Sequence, residues 1–119
     1  MILINFSGHP VPIRGAEKVS IVEIDLPVVS PTTGAILTAA RRMFDEAEER
    51  VAEAIARGEY QMLLPGYAPL AAALITESAG RSGRLPAVRW TIRRGNKYVC
   101  TPPLNLQAAR TAARGRRKV

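Results

Sequence analysis

The stretch Tyr60-Gln61-Met62-Leu63-Leu64-Pro65-Gly66-Tyr67-Ala68-Pro69-Leu70 restricts the fold more than any other part of the chain. It reads as a buried strand, a glycine turn and the start of a helix in immediate succession. An apolar strand needs both faces covered, Gly66 permits a sharp change of direction, and Pro69 has the fixed φ and missing N–H that suit a first helical turn. In an open α/β sheet the carboxyl end of such a strand is where ligands bind, and the free N–H groups of the following helix favour an anion there.

The 119 residues suit one domain, and 47% hydrophobic against 23% charged residues is a globular composition. The longest apolar run, Ala68 to Ile75, falls far short of the roughly 20 residues that span a bilayer, and Met1 to Phe6 lacks the basic flank of a signal peptide. A cytoplasmic protein with no membrane partner is expected. A lone cysteine, Cys100, excludes an internal disulfide, and with His9 the only histidine there is no zinc spacing.

Charge is segregated along the chain. Residues 1–77 carry all 10 acids and a net −4, whereas residues 78–119 carry no acid and a net +11, within a total of +7. Such asymmetry favours a polyanionic partner; a solubilising basic tail is the plainer alternative.

Met1 to Phe6 reads as a central parallel strand ending in the turn Asn5-Phe6-Ser7-Gly8-His9-Pro10. Pro10, Pro12 and Gly15 then make an irregular crossover more plausible than a helix up to Lys18. Val19 to Leu26 reads as a second strand whose shifted alternation suggests a bulge or two-sided burial. After Pro27 to Pro31, Thr32 or Thr33 can cap a long helix starting near Gly34, with Ile36, Ala40, Met43, Phe44, Ala47, Val51, Ala54 and Ile55 as its apolar stripe. Glu46 with Arg50 and Glu53 with Arg57 are favourable pairs on its solvated face, and Gly58 stops it. The acidic cluster Asp45, Glu46, Glu48 and Glu49 is read as solvated, not as a metal site.

A short second helix carries Leu70, Ala73 and Leu74 and closes at Gly80, leaving Arg81-Ser82-Gly83-Arg84 as a basic loop without nearby acids. Val88, Trp90 and Ile92 alternate with Arg89, Thr91 and Arg93 as a half-buried strand; Arg94-Gly95-Asn96-Lys97 turns it into Tyr98-Val99-Cys100. Asn105 caps a final helix to about Arg114, with Leu106, Ala109 and Ala113 on one face. The order implies a small Rossmann-like α/β fold: a three-layer sandwich with a mainly parallel sheet and an antiparallel edge hairpin, residues 1–114 forming one domain and 115–119 a basic tail.

Phosphate-binding lysine loops, dinucleotide fingerprints, serine elbows and metalloprotease histidine pairs are all missing from the sequence, and no motif calls for a cofactor or metal. What remains is two polar turns at strand ends, Asn5 to His9 and Pro65 to Ala68. If the strands are adjacent, the turns face one crevice that offers rings for stacking and N–H groups for phosphate. His9 either meets a ligand or packs within its loop, and Tyr67 either stacks or covers the sheet edge.

Four segments resemble a known family: Ile4-Asn5-Phe6-Ser7 with His9-Pro10; Pro65 through Ala72; Gly80-Arg81 with Gly83 and Pro86; and Asn105-Leu106-Gln107 leading into Ala109-Arg110. The likeness is to small CRISPR-associated proteins grouped with the CARF-like, ring-nuclease-type accessories of type III systems. It implies a Rossmann-like homodimer that binds cyclic oligoadenylate, above all the four-membered ring, across its two-fold axis. By that resemblance Asn5, Phe6, Ser7, His9, Gly66, Tyr67 and Pro69 are pocket residues, with Gly8, Pro65 and Ala68 between them in the same turns. Metal-independent ring opening would need groups such as Ser7, His9 and Arg81 about the phosphate; sequestration asks only for binding.

Two other classes stay open. A nucleic-acid-binding accessory would use Arg89, Arg93, Arg94, Lys97 and the tail from Arg114 to Lys118, and a structural partner subunit would bind neither ligand.

Overall fold

A computed structural model of the chain describes residues 1–11 and 18–118. Most of the crossover expected between Pro10 and Lys18, and Val119 of the tail, lie outside the described residues. Strands β1 (Ile2–Asn5), β2 (Ser20–Glu23), β3 (Tyr60–Leu63), β4 (Ala87–Arg89) and β7 (Leu104–Asn105) form one sheet in the order β2-β1-β3-β4-β7. The β1–β2, β1–β3 and β3–β4 pairs are parallel and β4–β7 is antiparallel. Strands β5 (Thr91–Arg94) and β6 (Lys97–Cys100) pair separately as a hairpin. This is the mixed, mostly parallel α/β architecture expected, with one difference of detail: the antiparallel edge of the main sheet is β7, and the hairpin stands apart from it.

Helix α1 (Thr33–Arg57) starts where Thr32 Oγ1 accepts from the Ala35 N–H and ends at Gly58, whose φ of 67° gives a left-handed cap. Both signals were legible locally. The crossovers β2-α1-β3 and β3-α2-β4 step across the sheet in the same direction, so a right-handed path puts both helices on one face. There α1 packs along α2 (Ala68–Ser82). Their shared core contains Ile4, Phe6, Val22 and Met62 from the strands, Met43 and Phe44 from α1, and Leu70 and Leu74 from α2. Phe44 is its centre, lying 5.1 Å from the Phe6 ring and 6.4 Å from the Tyr60 ring. The Tyr60 hydroxyl is hydrogen-bonded to the buried Ser78 hydroxyl, which satisfies both polar atoms inside the core. Strand periodicity sends Leu3 and Leu63 to the opposite face, and both are fully buried.

Three local expectations are corrected. Strand β2 runs in unbroken register with β1, from Ile2↔Ser20 to Asn5↔Glu23, so there is no bulge; it is an edge strand that buries Val22 and exposes Ile21. Helix α2 continues past Gly80 to Ser82, because the left-handed cap is Gly83, with φ 78°. The strand expected through Val88, Trp90 and Ile92 breaks at Trp90, the point where the chain leaves the main sheet for the hairpin.

No helix among the described residues is long and apolar enough to cross a membrane.

Candidate functional site

The chain moves outward from β1 to β2 on one side and resumes at β3 on the other, so β1 and β3 flank the topological switch point. They pair in register from Ile2↔Tyr60 to Asn5↔Leu63, which brings the two polar turns to the same carboxyl edge. The Phe6 N–H donates to the Leu63 carbonyl at 3.0 Å and prolongs the pairing into the turns. Between them opens a cavity of about 740 Å³. Ser7, His9 and Pro10 line it from the β1 turn, and Leu64, Pro65, Gly66 and Ala68 from the β3 turn. Its third wall is Trp90, Thr91 and Tyr98.

The β1 turn is built around the Asn5 carboxamide. Its Nδ2 donates to the His9 carbonyl at 2.6 Å and to Glu23 Oε2 at 2.7 Å. Its Oδ1 accepts from the Ser7 N–H at 2.9 Å and from the Ser7 hydroxyl at 2.6 Å. That uses both donors and both acceptor positions of the amide, and Asn5 is fully buried. The Ser7 hydroxyl in turn accepts from the His9 N–H at 3.2 Å. Asn5 and Ser7 therefore shape the loop, and what they present at the crevice is His9. Gly8 has φ 78° and packs so closely on Leu26 that a Cβ there would lie 2.9 Å from its Cδ2. It faces a neighbouring cleft of about 580 Å³ shared with His9, Pro10 and Asp25.

In the β3 turn, where Gly66 is expected to permit a sharp change of direction, the glycine does not adopt a left-handed backbone. A Cβ at Gly66 would meet nothing within 4 Å, so the glycine leaves space in the cavity wall and is not needed for the turn. Helix α2 begins there with Pro69 in its first turn. Its N-cap, Tyr67, makes no side-chain capping bond to the first helical N–H groups.

Several expected site residues are placed elsewhere. Phe6 is fully buried against Phe44 and has no face for a ligand. Tyr67 and Pro69 are exposed at the start of α2, outside the cavity lining. Arg81 lies in the last turn of α2, at the opposite end from the crevice. The expectation of a basic loop without acids fails, because α1 supplies acids from across the sequence. Arg81 bonds Asp45, Glu48 and Glu77 at 3.0 Å each and stands 5.4 Å over the Phe44 ring. Partial burial lowers its pKa, but the bonds to Glu77, Glu48 and Asp45 outweigh this and raise it. Arg81 is thus a clasp between α1 and α2.

Trp90, Thr91 and Tyr98 join the site although the sequence pattern does not mark them as site residues. Period-two alternation assigns Trp90 to a buried face beside Val88, but Arg89 is the buried neighbour, its Nε donating to Gln61 Oε1 at 2.7 Å. An arginine on an apolar sheet is the one local hint of the break, since it needs a partner that only the fold supplies.

A separate cavity of about 560 Å³ lies between the Asp25 to Ser30 segment and α1. It follows the end of the edge strand β2 and reaches the first turn of α1, away from the β1/β3 switch point. Among the described residues, no cluster of His, Cys, Asp and Glu could hold a metal ion. No protein-family model, curated protein or solved structure matches the chain.

Proposed function

We propose that this protein is a cytoplasmic homodimer that captures a cyclic oligoadenylate, cyclic tetra-adenylate first among them, and so lowers the free level of a type III CRISPR second messenger. The observation that carries the reading is the meeting of the Asn5 to His9 and Pro65 to Ala68 turns about one cavity at the β1/β3 switch point. Among the described residues no acidic side chain lines that cavity, and the start of α2, where Tyr67 gives no side-chain cap, adjoins it, which suits phosphate. A two-fold ring of nucleotides matches two equivalent crevices of a symmetric dimer.

The chemistry of the crevice favours holding over cutting. The Ser7 hydroxyl is committed to Asn5 and Arg81 is bound to three acids, which leaves His9 alone of the groups that ring opening would employ. Competition between cyclic tetra-adenylate and linear tetra-adenylate tests the reading. Preference for the ring, unchanged after removal of the residues beyond Arg114, is the expected result. Equal binding of unrelated oligonucleotides, steeply weakened by salt and lost with the tail, would instead identify a nucleic-acid-binding accessory.

A further inference from the structure

The strand break at Trp90 has a chemical result. Val88 and Arg89 are buried, yet the next residue, a tryptophan, is 41% exposed, and Tyr98 on the returning strand is 62% exposed. The Trp90 backbone is fixed even though its side chain is open. Its carbonyl accepts from the Thr101 N–H at 2.9 Å, and its N–H donates to Thr101 Oγ1 at 3.1 Å. The aromatic contacts of the core join Phe6, Phe44 and Tyr60; neither Trp90 nor Tyr98 takes part in them. Both residues instead line the switch-point cavity, together with the turns that carry His9 and Gly66.

We propose that Trp90 and Tyr98 form the base-stacking wall of the crevice and that the β5–β6 hairpin is the element that presents it. This deepens the function proposed above and rests on it for the identity of the whole ligand. The recognised chemistry is a nucleobase joined to a phosphate. Exposed aromatic rings beside open space stack planar π systems, and every base offers one. A positive charge shares the face of Tyr98: Arg93 is its cross-strand partner, whereas Arg94 and Lys97 form the next rung, on the other face. A purely apolar ligand would make no use of Arg93, whereas a nucleotide can use it together with the rings.

Trp90 is the only tryptophan in the chain, so its fluorescence reports on this wall alone. The test titrates the intact protein with adenosine monophosphate, ribose 5-phosphate and cyclic tetra-adenylate, with free tryptophan as the absorption control. Adenosine monophosphate should change Trp90 emission and ribose 5-phosphate should not. Tyr98→Ala should weaken adenosine monophosphate binding by about ten-fold or more, and Tyr98→Phe should restore it. Trp90→Phe, followed with radiolabelled nucleotide, should retain most of the affinity that Trp90→Ala loses.

Equal responses to adenosine monophosphate and ribose 5-phosphate would overturn the wall. So would messenger binding that leaves Trp90 emission unchanged and survives Tyr98→Ala, although the messenger function would then stand. A Trp90 response to adenosine monophosphate with no tighter binding of cyclic tetra-adenylate would support the wall and end the messenger reading.

Discussion

Asn5 Oδ1 accepts both the backbone N–H and the hydroxyl of Ser7, at 2.9 and 2.6 Å, so the residue best suited by type to be a nucleophile is held as part of its own loop. The carboxamide is also the link between the ends of β1 and β2, through Glu23. Replacing Asn5 with Ala leaves buried partners without bonds and should cost about 2–3 kcal/mol. Asn5→Asp puts a carboxylate against Glu23 and should be at least as damaging. Urea unfolding measures both, and a change within error for either would show that the loop does not depend on this amide.

Ser7→Ala tests the same relationship from the other side. Loss of the hydroxyl should reduce stability by about 1 kcal/mol and weaken ligand retention through the loop, without abolishing it. Complete loss of a product-forming activity with stability intact would instead make Ser7 a chemical participant.

Gly8 and Gly66 sit in the two turns but should respond in opposite ways. Gly8→Ala meets Leu26 at 2.9 Å in a left-handed backbone, and should destabilise by about 1–2 kcal/mol. At Gly66 a Cβ meets nothing within 4 Å, so Gly66→Leu should keep stability within about 0.5 kcal/mol while its side chain occupies the cavity and ligand binding is lost. Thermal melts paired with a binding assay separate the two effects.

Local signals made much of this fold legible in the sequence. The caps at Thr32 and Gly58, the strand-to-helix start ending in Pro69, the Gly95-Asn96 hairpin turn and the Asn105 cap are each set by neighbours in the chain. What escaped was set by residues remote in sequence. Phe6 looked available until α1 brought Phe44 against it, and Arg81 looked unpaired until Asp45 and Glu48 arrived from the same helix. β7 spans only Leu104–Asn105, too short for an alternation to register. Trp90 obeys the pattern of a buried strand and departs from it because the chain changes sheets there.

Arg81→Ala should leave binding at the crevice unchanged and reduce stability by about 1–2 kcal/mol, a modest figure because Asp45 and Glu48 are substantially exposed and screened. The pH dependence has a definite sign. The folded pKa of Arg81 is raised, so its contribution is fully present below the ordinary guanidinium range and is lost only as pH rises through the still higher folded value. Wild type and variant should therefore differ by a constant amount across neutral pH, measured by urea midpoints at several pH values.

The most direct measurement of the central claim is to incubate the protein with radiolabelled cyclic tetra-adenylate, separate bound from free ligand and resolve the products. Saturable retention at one ring per two chains is expected, abolished by Gly66→Leu and unaffected by Arg81→Ala, with the ring recovered intact. No retained ligand, or recovery of the ring as a linear product, would contradict that claim.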